Sequence, residues 1–172
     1  MSATPPALPP AAQMLQMLIG HWPARALHVF VELGLADAMG EAPRAVADIA
    51  ADTQTHAPSV QRLLRALAMI GVVRGDATGG FALTPLGTTL RSDAPDSVRE
   101  AARLMGSDVH YAAWGALAYT IRTGDAALRH TEGATLFEWL ATHPHDRVTY
   151  NAWMSIATHM HTPSIQIGRA HV

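Results

Sequence analysis

The chain has 172 residues, enough for one domain with an extension. Its hydrophobic share of 49% allows a buried core, and the excess of Ala, Leu and Met over aromatic residues leans that core towards helix. The absence of cysteine excludes disulfides, thiol catalysis and Cys-based zinc sites, and a net charge of −2 without a single lysine argues against a dedicated polyanion binder.

Residues 1–12 are rich in Pro and Ala and have no basic segment ahead of an apolar run, so they read as a disordered leader, not a targeting signal. From Gln13 to Leu33, apolar residues recur at three- and four-residue spacing through Leu15, Leu18, Trp22, Ala26, Val29 and Leu33. Met14, Met17 and Leu27 widen this stripe, which predicts a helix that needs cover on more than one side. Pro23 predicts a kink within it. Leu35–Met39 reads as a further turn of helix, and Ala45–Ala51 as a short helix with Val46, Ile49 and Ala50 inward.

Pro58 suits the first turn of the next helix, where its missing N–H would be unpaired anyway. That helix places Val60, Leu63, Leu64 and Leu67 on one face and Gln61, Arg62 and Arg65 on the other, with Gly71 as its stop. Val72–Arg74 and Phe81–Leu83 flank a Gly75–Gly80 turn and predict a hairpin. Helix, turn, helix and hairpin in this order predict a mainly α fold, a winged helix-turn-helix followed by additional helices. Those are a short helix after Pro85 carrying Leu86 and Leu90, then Ser97–Met105, Val109–Arg122, Leu136–Leu140, and Pro144–Met160 capped by Thr142. No stretch reaches the roughly 18 apolar residues of a membrane span, so the expectation is a cytoplasmic protein without a membrane partner.

A winged helix has two functional readings. One is a DNA-binding transcriptional regulator with Pro58–Ile70 as recognition helix. The other is a dimerisation platform whose arginines are a solvated face. The wing pairs Arg74 with Asp76, which favours the second reading and predicts no nucleic-acid partner. The histidines flanking Pro144 and Met160 are two residues apart, whereas zinc on a helix wants His at i and i+4 with a third ligand. No metal site is expected, and His21, His28 and His56 are expected at the surface or an interface.

The segments GHWPARALHVFVELGLADAM, VADIA, APSVQRLLRALAMIGVV, FALTPLGTTLRSD, AWGALAYTIRTGDAA, GATLFEWLATHP and YNAWMS follow one another at short intervals. This series, over about Gln13 to Met160, resembles the N-terminal half of class I S-adenosylmethionine-dependent O-methyltransferases that act on polyketides, phenolics and hydroxyindoles. The resemblance implies a homodimer whose N-terminal half closes over a small aromatic or polyketide substrate. It implies S-adenosylmethionine as cofactor of the parent enzyme, with no tight binding by this part alone. It implies acceptor-pocket residues at Tyr150 and Met154 in YNAWMS, at Phe137 in GATLFEW, and in an earlier stretch at Leu104 or Met105 and at His110 or Tyr111, where Met105 and Tyr111 are taken. Two positions depart from the family pattern: Ala45 stands where Ser or Thr often caps, and Thr53-Gln54 where Gly often stands. Each loss costs about 1 kcal/mol.

The cofactor of such enzymes is held by a Gly-rich turn after a first strand, and proton removal needs a His further on. Neither pattern occurs here, so no catalytic residue is expected in this chain. The expected organisation is a leader at 1–12, a winged-helix dimerisation domain at 13–96, and a helical extension lining the acceptor pocket at 97–161. Residues 162–172 are expected to be non-native, because QIGRAHV back-translates as CAG ATC GGA AGA GCA CAC GTC, one frame of a sequencing adapter.

Overall fold

The computed structural model describes residues 8–169, with side chains through Thr158. It opens with two helices, α1 (Pro10–Leu18) and α2 (His21–Glu32), where one kinked helix was expected. The break falls at Ile19–Gly20, and Pro23 lies in the first turn of α2, where a proline removes no helical hydrogen bond. Gly34, in the left-handed conformation at φ 69°, then turns the chain into α3 (Leu35–Ala38).

The helix-turn-helix consists of α4 (Val46–Asp52) and α5 (Ala57–Met69). Ala45 is the N-cap of α4 and supplies no side-chain hydrogen bond, as its methyl must. The turn between them holds Gln54 at φ 53°, the non-glycine residue with positive φ among those described. Strands β1 (Val73–Gly75) and β2 (Phe81–Leu83) pair antiparallel with Val73 opposite Leu83. The Asp76 carboxylate closes their turn by accepting from the Thr78 and Gly80 backbone N–H groups and the Thr78 hydroxyl. These bonds hold its carboxyl below the usual range, led by that from the Thr78 side chain.

β2 does not show the alternation of a one-sided strand: Phe81, Ala82 and Leu83 are all buried. The reason is a second edge. Arg44 and Phe81 exchange both backbone hydrogen bonds at 2.9 Å, and Leu83 N–H donates to the Gly40 carbonyl. Sequence patterning missed this pairing because a single residue, Arg44, makes it. The core sits here, where Phe30, Leu35, Ile49, Leu64 and Leu67 are fully enclosed beneath the hairpin.

Beyond the wing come α6 (Pro85–Thr88), α7 (Arg99–Gly106), α8 (Asp108–Gly115), α9 (Leu117–Thr123), α10 (Ala127–Glu132), α11 (Leu136–Thr142) and α12 (Pro144–Arg169). The expected helix Val109–Arg122 is divided at Ala116 into α8 and α9, and α10 was not anticipated. Leu86 is exposed, whereas Leu90 joins the core. α11 begins with a reciprocal cap: the Thr135 hydroxyl accepts from Glu138 N–H, and the Glu138 carboxylate accepts from Thr135 N–H at 2.7 Å. Thr142 does not cap α12. It ends α11, and its hydroxyl donates back to the Glu138 and Trp139 carbonyls. The backbone of α12 runs on past Met160 to Arg169. The expectation of a non-native segment at 162–172 lies outside the described side chains.

The helices after the wing return to the first domain through α2 and α7. A Cβ added to Gly106 would strike the Cβ of His28, so glycine lets the two helix backbones meet. Arg25 of α2 donates to the Gly106 carbonyl and pairs with Asp108 at 2.8 Å.

Candidate functional site

That clasp forms one wall of an open cavity of about 510 Å³, enclosed on its other sides by α8, α10, α11 and the start of α12. Arg103 links the walls. Its guanidinium donates to the Glu32 carboxylate at 2.9 Å and to His145 Nε2 at 2.8 Å, and lies 3.5 Å from Glu100. The Arg103 hydrogen bond holds the Glu32 carboxyl below its ordinary value. Glu100 in turn accepts from the hydroxyl of the buried Thr149 at 2.9 Å, which fixes α12 against α7.

The facing wall is apolar and aromatic. Leu136, Trp139 and Leu140 share one face of α11 at i, i+3 and i+4. The Trp139 ring lies 3.5 Å from that of His143, nearly parallel to it, and its indole N–H donates to Asp146 at 2.8 Å. Tyr150 follows Asp146 by one turn of α12. His110, from α8, accepts at Nε2 from the Trp114 indole N–H, and burial pushes its pKa down.

Of the five residues taken from the sequence, the structure places Tyr150 on this wall. Met105, Tyr111 and Phe137 each stand one residue after a lining residue, namely Leu104, His110 and Leu136. One residue is about 100° of helix rotation, which turns a side chain from the cavity to a flank. The Tyr111 hydroxyl instead donates to the His21 carbonyl, beneath the Arg25 guanidinium. Phe137 is 75% exposed, and Met154, a turn beyond Tyr150, is 45% exposed. Trp139 and Asp146 were not singled out from the sequence. Their signal is the i, i+4 spacing of Asp146 with Tyr150 and the shared face of Trp139 with Leu136.

Among the described residues no three His, Asp or Glu side chains are grouped to hold a metal ion, and no helix is long and apolar enough to cross a membrane. The described strands form a two-stranded antiparallel hairpin whose Gly79–Gly80 turn is closed on the Asp76 carboxylate. The described residues therefore do not fit S-adenosylmethionine, which needs a strand followed by an open Gly-rich turn.

Residues 15–93 match the model of the O-methyltransferase dimerisation domain. This stretch is an O-methyltransferase dimerisation domain. The chain is 39% identical to the phenazine O-methyltransferase PhzM of Lysobacter antibioticus over 83% of its own length and 42% of the relative's. The crystal structure of LaPhzM superposes with a TM-score of 0.86 at 34% identity, covering 92% of this chain and 47% of that one. The O-methyltransferase NcsB1 from neocarzinostatin biosynthesis, solved with S-adenosylmethionine and 2-hydroxy-5-methyl naphthoic acid, superposes with a TM-score of 0.67 at 31% identity over 80% of this chain and 43% of that one. The chain thus spans about two fifths of the length of the curated relatives it matches. The helix-turn-helix and hairpin lie within the dimerisation domain, and the DNA-binding alternative finds no support in these relatives.

Proposed function

We propose that this chain is the dimerisation and acceptor-lid part of a cytoplasmic O-methyltransferase that moves a methyl group from S-adenosylmethionine to an aromatic or polyketide hydroxyl. The observation that carries the proposal is the dimerisation domain followed by a cavity with an aromatic wall. Relatives about twice this length are methyltransferases, one of them solved with S-adenosylmethionine and a naphthoic acid. In this reading the chain's own residues orient the acceptor: Trp139 and Tyr150 flank its ring, and the apolar wall excludes water. Met105, Tyr111, Phe137 and Met154, which flank the cavity lining, are proposed to support the acceptor site from behind, with the exposed Phe137 and Met154 covered in the assembled enzyme. The cofactor is proposed to bind outside this chain.

The dimer in this proposal is a homodimer built on α1, where Met14, Leu15, Met17 and Leu18 are exposed and no residue is buried, together with the exposed Ile19 that caps it. A surface of that kind on a small domain is a binding surface. Sedimentation equilibrium of the chain is expected to give the dimer mass, and Leu15→Arg with Leu18→Arg the monomer mass. A monomer without substitutions, or stoichiometric tight binding of S-adenosylmethionine to this chain in a calorimeter, would overturn the reading.

A further inference from the structure

On the cavity wall one charge stands without an opposite. Glu32 is paired with Arg103 and Asp108 with Arg25. Asp146 has no cation within ion-pair distance among the described residues, and its described contact is the Trp139 indole N–H on Oδ2. A neutral donor leaves the carboxylate charge in place.

The cavity histidines do not cancel it. His110 Nε2 accepts from the Trp114 indole and His145 Nε2 accepts from the Arg103 guanidinium, at 2.8 Å each. Neither the indole nor the guanidinium can accept, so each Nε2 is spent as an acceptor and has no N–H to give Asp146. His28 is engaged on the opposite wall, where its Nδ1 donates to the Arg103 carbonyl at 3.0 Å. Apart from Arg103, which is engaged by Glu32 and Glu100, and the histidines, the residues lining the cavity, such as Leu128, Leu140 and Tyr150, carry no positive charge. An apolar lining raises the effective strength of an unopposed charge.

We propose that Asp146 determines acceptor specificity: it makes this cavity select aromatic acceptors with a cationic or N–H-donating substituent and reject aromatic carboxylates. A positively charged nitrogen beside Asp146 restores a missing ion pair while its ring lies against Trp139 and Tyr150. A carboxylate there faces a like charge. The inference rests on the reading of this cavity as an acceptor wall.

The test is a calorimetric titration of the full chain near neutral pH with two probes on one skeleton, 6-(aminomethyl)-2-naphthol and 6-hydroxy-2-naphthoate. The cationic probe is expected to bind at least about tenfold tighter, the equivalent of one partly screened ion pair. Asp146→Asn is expected to bring the two affinities within about threefold of each other by removing that pair. Glu41→Gln, which changes the net charge away from the cavity, leaves the ratio unchanged. Should Asp146→Asn fail to fold, high salt applied to the unsubstituted chain supplies the same readout by screening the charge. Equal affinities, a preference for the carboxylate, or a ratio untouched by both Asp146→Asn and salt overturns the specificity proposal alone. Binding of both probes that is indifferent to Leu136→Trp, which fills the cavity mouth, overturns the acceptor-wall reading instead. The absence of saturable binding overturns both.

Discussion

Gln54 sits in a backbone region that L residues avoid because Cβ crowds the following carbonyl. The structure holds it there because α4 and α5 must turn between Thr53 and Thr55, whose hydroxyls hydrogen-bond each other at 2.9 Å. Gln54→Gly relieves the strain while loosening the unfolded chain, so the expected gain is about 0.5–1 kcal/mol. A urea titration checks it: the midpoint rises with the slope unchanged, and Gln54→Val moves it the other way. The turn was marked before the structure by the family resemblance, which puts Gly near Thr53 or Gln54, and so was the missing cap at Ala45, where it puts Ser or Thr. Both concern chemistry within a few residues of chain, which a resemblance between sequences can carry.

At the scale of elements, local signals found the helix-turn-helix, the hairpin and α11, and failed where the cause lay further along the chain. The chain breaks at Ile19–Gly20 where one helix kinked at Pro23 was expected, and Pro23 in the first turn of α2 costs no helical hydrogen bond. The division of α8 from α9 falls directly after Gly115, a weak helix former through which the expected helix Val109–Arg122 ran. The contact of α2 with α7 joins Gly106 to His28 across the chain, and no periodicity reports such a meeting. It makes a sharp prediction. Gly106 lies outside the left-handed region, so an alanine there meets no backbone strain and fails only by collision. Gly106→Ala is expected to cost about 1–3 kcal/mol through overpacking. Thermal unfolding followed by circular dichroism measures the loss, and a variant as stable as the parent would show that the two helices are not locked together.

For the whole molecule, the described core lies under the hairpin, and the helices after it surround a cavity instead of filling one. The candidate site was therefore legible only as a series of segments. Which residue of each segment faces the cavity depends on helix rotation set by packing, and α10, which closes one side, has no strong pattern of its own. The exposed apolar face of α1 adds a consequence for stability. If two copies bury it, unfolding is coupled to dissociation, and the melting temperature is expected to rise with protein concentration. Scans over a range of concentrations check this, and a constant melting temperature would place α1 outside any self-association.

The clasp at Gly106 gives the cavity one fixed wall and one adjustable wall. Changes on α7 collide with α2 and reach the hairpin core, whereas Leu136, Trp139, Asp146 and Tyr150 line the cavity from helices outside that core. Under the proposed acceptor reading, a lineage built on this scaffold can explore new acceptors at Leu136, Trp139, Asp146 and Tyr150 while Thr149 keeps α12 bonded to Glu100 of α7. Diversification of chemistry and preservation of architecture are thereby assigned to different stretches of the same gene.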